Sequence, residues 1–274
     1  MPNGPDVNDR FPLRESLSPP IIKPPVFECA EAVFVTGFMA HATVRVFVGL
    51  NDLLAEEKPP FGFAKIILRR SVTAGESLTA TQEVNGQNSG HSFQPVIVQP
   101  LDGNRIRTTK PDVIEPLFGC GRVVPTGNLV PSTRLHIAQD GAEIGQAAIA
   151  GTFDSVVTQP LTAGSQVTAI LVACEGTGHE IKGPISDAAL PPPLSAPVPT
   201  PAPVVDDGSL IPGNDVVTLK GLLIGAGIEI FDGGVRVCTG WLANAGTNVF
   251  PISQRLTNSQ ITATQELCGR VSLP

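Results

Sequence analysis

The chain repeats nearly the same short line of alternating apolar and polar residues three times. Residues 76–86 read ESLTATQEVNG, residues 259–269 read SQITATQELCG, and residues 165–176 read the looser SQVTAILVACEG. Asn85, Cys174 and Cys268 hold the same place in this line, 89 and 94 residues apart. Repetition at a fixed interval is typical of a chain built from similar structural units. The sequence therefore predicts three units of about 90 residues each.

A second repeated segment supports this division. VFVTGFMAHATVRVFV at 33–48 aligns without gaps on VTLKGLLIGAGIEIFD at 217–232, and VVPTGNLVPSTRLHIA at 123–138 aligns with one inserted residue. The alignment places Gly37, Gly127 and Gly221 at one common position. The interval between units is again about 90 residues.

Alternation with a period of two predicts strands inside each unit, because one face of a strand is buried while the other is solvated. The pairs Asp140-Gly141 and Asp232-Gly233 between such runs predict two-residue hairpin turns. With 28 Gly and 27 Pro, the composition also disfavours long helices. The sequence predicts an all-β chain of three tandem immunoglobulin-like β-sandwich domains. The alternating apolar residues are Val44, Val46, Val48, Leu135, Ile137, Ile228 and Ile230.

Proline content places the predicted boundaries. Residues 187–203 contain seven prolines in seventeen positions, which favours an extended linker over a packed domain, although a motif for a proline-binding module is an alternative. The predicted division is a Pro-rich N-terminal arm at 1–25, domain 1 at 26–93, domain 2 at 94–186, the linker at 187–203 and domain 3 at 204–274.

The five cysteines fall at repeated positions. Cys29 and Cys120 hold an early position in their units, while Cys174 and Cys268 hold a late one. Early and late cysteines tend to be present or absent together within one unit, which is the pattern of bonded partners. Domain 2 has both, so we expect one bridge there, Cys120–Cys174. In domain 3, Cys238 replaces the missing early cysteine, so we expect a Cys238–Cys268 bridge. Domain 1 has Asn85 in place of a late cysteine, which predicts a free thiol at Cys29. The alternative is five buried thiols in a cytosolic protein.

These repeated lines resemble the tandem immunoglobulin-like repeats of bacterial surface and secreted proteins. The resemblance is carried by SVTAGESLTATQEVNGQNS, PLTAGSQVTAILVACEG and RLTNSQITATQELCGRVS, and it extends over the chain outside the arm and the linker. It implies an immunoglobulin-like architecture and says little about function. The sequence departs from the pattern at Asn85 and at Asn258-Ser259, where an Ala-Gly turn is replaced.

Charge and hydropathy exclude several partners. The net charge of −7 and the absence of a large basic cluster argue against nucleic-acid binding. No apolar run is long enough to span a membrane. No secretion signal is visible at the N-terminus, so a signal has been removed, the protein is exported by another route, or it stays inside the cell. The expected location is extracellular or at the cell surface.

The sequence contains no recognisable catalytic constellation. His41, His91, His136 and His179 are scattered, with no metal-binding spacing and no base beside a nucleophile. A metal site in CEGTGHE at 174–180, calcium sites at Glu56-Glu57 and Asp206-Asp207, and a nucleotide loop in GLLIGAGIEI at 221–230 are weaker interpretations than solvated turns and a strand. We expect no enzyme activity and no cofactor.

The sequence therefore predicts a non-catalytic structural or adhesive protein. It would form a rod on a bacterial surface or in a filament or tail-fibre-like assembly. We expect it to associate with other protein subunits, as a homo-oligomer or larger assembly, through the N-terminal arm or an unpaired edge of the last domain. The alternative is a carbohydrate-binding module or an accessory fragment of a larger secreted enzyme. Glycans would then stack on Trp241, the one tryptophan.

Overall fold

The computed structural model describes residues 17–188, 200–206, 208, 210, 216–242, 246–252, 256–257 and 260–273. These residues form antiparallel sheets and one short helix, α1 (Gly103–Thr108), in which Asp102 is the N-cap. No helix in these ranges has the length and apolar character needed to cross a membrane. The all-β prediction is confirmed.

The strands form three pairs of sheets, which we call units 1, 2 and 3 in chain order. Unit 1 contains β1 (Ile21–Ile22), β2 (Ala32–Thr36), β3 (Thr43–Val48), β4 (Asp52–Glu57), β5 (Phe63–Ile67), β6 (Ser77–Val84), β7 (Gln87–Asn88) and β8 (Val96–Ile97). Unit 2 contains β9 (Asp112–Val113), β10 (Val123–Gly127), β11 (Arg134–Gln139), β12 (Ala142–Ala148), β13 (Asp154–Val157), β14 (Val167–Ala173) and β15 (Ile181–Lys182), and α1 packs against it. Unit 3 contains β16 (Val204–Val205), β17 (Val216–Leu222), β18 (Gly227–Asp232), β19 (Val235–Trp241), β20 (Gly246–Pro251), β21 (Ile261–Leu267) and β22 (Arg270–Val271).

The three units share one topology. In each, the first, second and fifth strands make a three-stranded sheet, and the third, fourth, sixth and seventh make a four-stranded sheet. The chain therefore crosses between the two sheets after the second, fourth and fifth strands. Two antiparallel sheets with these crossovers are the immunoglobulin-like sandwich. In unit 1, β8 adds a second segment beside β6.

Each unit has its own core, built from the inward residues of both sheets. The predicted alternation is confirmed in the third strand of every unit. Val44, Val46, Leu135, Ile137, Ile228 and Ile230 are all at most 1% exposed. The neighbouring Arg45 faces outward and forms ion pairs with Glu56 at 2.5 Å and Glu83 at 2.8 Å across the adjacent strands.

Two local predictions need correction. Asp140-Gly141 forms the expected turn, with φ of 50° and 82°, but Asp232 belongs to β18 and the turn lies at Gly233-Gly234. The prediction of one inserted residue in the second unit is also wrong. Asn128, with φ of 51°, occupies the left-handed position that Gly37 and Gly221 hold, so the two segments align without a gap. Asparagine tolerates this conformation better than most residues. The sequence alignment instead placed Gly127, the residue before Asn128, at this position.

The predicted boundaries cut through paired strands. Ile21 and Ile22 lie within the predicted arm, yet they pair with Thr36 and Val35 of unit 1, and Ile22 is 2% exposed in its core. Val96 and Ile97 lie within predicted domain 2 but pair with β6 of unit 1. Short strands flanked by proline carry too few residues to show periodicity, so no pattern of residues indicated them. Residues 1–16 of the arm and 189–199 of the linker lie outside the described residues.

Candidate functional site: the junctions between units

Two disulfide bridges join neighbouring units. Cys29 of unit 1 is bonded to Cys174 of unit 2, and Cys120 of unit 2 is bonded to Cys268 of unit 3, each with 5.0 Å between the Cα atoms. Cys238 is the free thiol. Two bridges and one free thiol agree with the sequence prediction, but the predicted pairs Cys120–Cys174 and Cys238–Cys268 and the predicted free thiol Cys29 are wrong.

The geometry of a sandwich explains the failure inside unit 2. Cys120 lies beside Leu161, with a backbone hydrogen bond of 2.6 Å from its N–H to the Leu161 carbonyl oxygen. From there the chain enters β14, whose seven residues rise about 24 Å before Cys174. The two cysteines therefore lie at opposite ends of the unit, which we call the base (Cys120) and the apex (Cys174). A disulfide requires Cα atoms within about 7 Å.

The second predicted bridge fails for a different reason. Cys238 lies on β19, and β18 separates β19 from β21, the strand that leads to Cys268. Two strand spacings amount to about 9.5 Å, which exceeds the reach of a disulfide. Burial raises the pKa of the Cys238 thiol above its ordinary value, so the reactive thiolate is disfavoured at neutral pH.

The two bridges occupy equivalent positions. In each case the early cysteine at the base of one unit meets the late cysteine at the apex of the next. Both early and both late cysteines have positive φ, between 53° and 65°, in common with Asn85 at 50°. Asn85 thus keeps the backbone turn of the late position without the sulfur. The bridged residues are Cys29, Cys120, Cys174 and Cys268.

Polar contacts surround the first bridge. The backbone N–H of Phe27 donates to the Ser132 hydroxyl at 2.9 Å. Arg134 of unit 2 forms an ion pair with Glu31 of unit 1, and it also lies 3.3 Å from the carboxylate of Glu175. Ser132 is buried and Arg134 and Glu31 are partly buried, which reduces screening by solvent, whereas Glu175 is exposed. Hydrogen bonds and charge therefore fix the orientation of units 1 and 2 around the covalent link.

A second ion pair joins units 1 and 2 away from the bridge. Lys65 on β5 lies 2.6 Å from Asp154 on β13, and their side chains are 28% and 17% exposed. The ion pairs Arg134–Glu31 and Lys65–Asp154 involve different strands of unit 2, β11 and β13. Together they therefore oppose rotation of unit 1 relative to unit 2 about the bridge.

The second bridge is surrounded by apolar and backbone contacts. Arg122 donates its backbone N–H to the Gly225 carbonyl oxygen at 3.1 Å. Gly225 approaches Gly121 so closely that a Cβ atom on it would lie 2.8 Å from the Gly121 Cα. Beside this contact, Phe118 packs with a small cluster of unit 3 around Ala226 and Leu267. Units 2 and 3 are therefore in direct backbone contact.

Trp241 belongs to the same junction. The Arg122 guanidinium carbon lies 5.1 Å from the centre of its ring, a cation–π contact between units 2 and 3. Gly227 lies against the ring, since a Cβ there would be 3.0 Å from the Trp241 Cζ3 atom. The ring is 44% exposed. Its role as a ligand platform stays a prediction, and its contacts here are those of a junction residue.

The other sequence candidates have protein partners. In the loop after Cys174, Glu180 accepts a hydrogen bond from the Gly176 N–H at 2.9 Å. Glu57 accepts one from the Ile67 N–H at 3.0 Å, and Asp206 lies 3.2 Å from Lys220. Asp207 lies outside the described residues. In the described part of the chain, no group of three or more His, Cys, Asp or Glu side chains is placed to hold a metal ion.

A buried glutamine in units 1 and 3 was missed as a functional residue. Gln82 donates from Nε2 to the Ser18 carbonyl oxygen at 2.6 Å and accepts from the Met39 N–H at 2.8 Å. Gln265 donates to the Pro201 carbonyl oxygen at 2.8 Å and accepts from the Leu223 N–H at 3.0 Å. The repeated TATQ was the signal, because alternation alone calls for an apolar residue here. Each glutamine therefore binds, through a hydrogen bond, the Pro-rich segment that leads into its unit.

No protein-family model matches the chain, and no curated protein sequence matches it. Solved structures similar to it include the BSP domain of a biofilm-associated protein, at 13% identity over 65% of this chain and 30% of that chain, with a TM-score of 0.28. Another is the central fibronectin-III array of RIM-binding protein, at 12% identity over 94% and 95%, with a TM-score of 0.23. A third is SGBP-B of the Bacteroides ovatus mixed-linkage glucan utilization locus, in complex with a mixed-linkage heptasaccharide, at 17% identity over 92% and 65%, with a TM-score of 0.22. At these TM-scores the fold assignment rests on strand topology alone.

Proposed function

We propose that the chain is a non-catalytic structural or adhesive element made of three immunoglobulin-like domains fixed end to end. The observation that carries this proposal is the placement of both bridges between units instead of within them. Bridges inside a domain would stabilise that domain. Bridges between domains restrict their relative motion, which matters for a protein whose task is to hold two ends at a set distance and orientation.

An extracellular location belongs to the same proposal. Structural disulfides persist in oxidising compartments and are rare in reducing ones. A rod on a cell surface, or in a filament or tail-fibre-like assembly, would use such links. Association with other protein subunits is included, since an end-to-end element maintains a distance only when both of its ends are attached.

The test compares shape with and without the first bridge. The proteins are the parent chain, the double variant Cys29→Ser/Cys174→Ser and the control Cys238→Ser, which removes only the free thiol. We expect the parent and the control to show one narrow distribution of end-to-end distances in electron micrographs, and the double variant a broad one. The double variant should also attach less well to the native carrier, by which we mean the cell surface or assembly that holds the chain in its source.

A parent as broadly distributed as the double variant would contradict the structural role. Equal attachment of all three proteins to the carrier would contradict the link between fixed geometry and function. Circular dichroism of each protein shows whether the units remain folded, so that a loss of shape can be separated from a loss of fold.

A further inference from the structure

The two bridges are interleaved along the chain. The first and third of the four bonded cysteines pair, and so do the second and fourth. The bridges therefore divide the chain between Cys29 and Cys268 into three segments, 29–120, 120–174 and 174–268, of 91, 54 and 94 residues. Each of these segments begins at one bridge and ends at the other. The three segments thus connect the same two points in parallel.

This connectivity decides which residues carry tension. While the units are folded, unit 2 holds the two bridges at its base and apex, so a pull on the two ends of the chain is carried through 120–174. The other two segments pass unit 2 through residues 99–120 and 174–200, which reach roughly 70–75 Å and 85–95 Å at about 3.3–3.6 Å per extended residue, whereas β14 of folded unit 2 rises only about 24 Å. They therefore stay slack while unit 2 is folded. The strands in the slack segments are β2–β8 of unit 1 and β16–β21 of unit 3, together with the short β9 and β15 of unit 2.

We propose that the chain is a load-bearing connector in which unit 2 carries the tension while units 1 and 3 are shielded from it. This inference rests on the proposed structural role and adds how load passes through it. Surfaces on the shielded units keep their shape under load. One such surface is the stacked pair Phe61 and Phe63, with ring centroids 5.7 Å apart and Phe63 56% exposed.

Unit 2 is built to resist the load it receives. Force enters at its base through Cys120, three residues before β10, and leaves at its apex through Cys174, one residue after β14. The two strands belong to different sheets, and each is hydrogen-bonded along its length, β14 to β11 over six residue pairs. Antiparallel ladder bonds lie perpendicular to the strands. A pull along the strands therefore loads them together instead of one after another.

The experiment is single-molecule stretching of the full chain between handles at its two ends, in a Cys238→Ser background that prevents exchange with the bridges. We expect the oxidised protein to release at most 54 residues between the bridged cysteines. Removing one bridge with Cys29→Ser/Cys174→Ser should raise this to 91 residues, and removing the other with Cys120→Ser/Cys268→Ser should raise it to 94. Full reduction should release all 239 residues, about four times the length of the oxidised chain.

Segments before Cys29 and after Cys268 add the same length to every protein, so differences between proteins isolate the bridges. If a serine variant does not fold, the oxidised and reduced forms of the Cys238→Ser protein still give the comparison. A single-bridge variant that releases all 239 residues, or no more than the oxidised Cys238→Ser molecule, would overturn the proposal. These lengths depend on connectivity alone. They therefore separate failure of this inference from failure of the proposed role, which is judged by attachment to the carrier.

Discussion

Gly225 decides how closely unit 3 can approach unit 2. Its φ of 78° lies in the left-handed region, and its missing Cβ leaves room for the Gly121 backbone. At the first junction the equivalent residue is Ser132, with φ of 69°, whose hydroxyl accepts the Phe27 N–H. One junction therefore uses a side-chain hydrogen bond where the other uses backbone contact.

The substitution Gly225→Ala should destabilise the second junction beyond the cost of its backbone conformation. A left-handed alanine costs about 1–2 kcal/mol, and the new Cβ would also force units 2 and 3 apart. The matched control is Gly269→Ala, which has φ of 71° and no atom within 4 Å of the new Cβ. Urea unfolding should show a larger loss of stability for Gly225→Ala, with faster hydrogen exchange at the Arg122 N–H. Equal losses for both variants would show that the close contact does not stabilise the junction.

Residue equivalence could be predicted from the sequence, whereas residue pairing could not. Cys29 with Cys120, and Cys174 with Cys268, are recognisable as equivalents because the strands around them repeat. Their disulfide partners depend on which end of a sandwich each cysteine occupies and on how the units stack. The alternation of apolar residues along a strand indicates neither of these. Asn85 was correctly placed at a late-cysteine position, but the expected consequence, a free Cys29, was wrong because the partner lies in the next unit.

At the scale of elements, Pro-rich segments supply the first strands of units 1 and 3. β1 and β16 are two residues long. The segment that precedes each of them is hydrogen-bonded to a buried glutamine, through the carbonyl oxygen of Ser18 or Pro201. In unit 2 the equivalent of these glutamines is Leu171, which pairs with Leu135 as Gln265 pairs with Ile228. The long alternating strands were predictable from their period. The short strands β1 and β16 were not predictable, because a hydrogen bond from a side chain distant in sequence leaves no local pattern of residues.

The substitution Gln265→Leu should release the linker end from unit 3. It leaves the Leu223 N–H and the Pro201 carbonyl oxygen without their partner. A fully buried unsatisfied group costs about 1–3 kcal/mol, and the cost is lower at Pro201, which is exposed to water. We expect faster hydrogen exchange in β16 and new proteolytic cleavage near Pro201, with β18 and β21 still protected. The exposed control Gln260→Leu should change neither. Unchanged exchange in β16 would show that strand pairing alone holds this segment.

At the scale of the whole molecule, the bridges couple units that otherwise have separate cores. Unit 1 has its own buried cluster, yet its base is covalently held by a cysteine on the apex of unit 2. When unit 1 unfolds in the oxidised chain, its residues remain in a closed loop and gain less conformational entropy. The stability of unit 1 therefore depends on a residue outside it.

The substitution Cys174→Ser, made in the Cys238→Ser background, should accordingly destabilise unit 1 although the change lies in unit 2. The loop closed by this bridge spans 145 residues, which corresponds to about 5 kcal/mol in the chain-entropy model for complete unfolding. The decisive measurement is hydrogen exchange in β2 and β5, whose ladder partners all lie within unit 1. We expect their protection to fall in the Cys174→Ser protein and to match the parent in the Cys238→Ser protein. Equal protection in all three would mean that unit 1 folds independently and that the bridge fixes orientation without stabilising it.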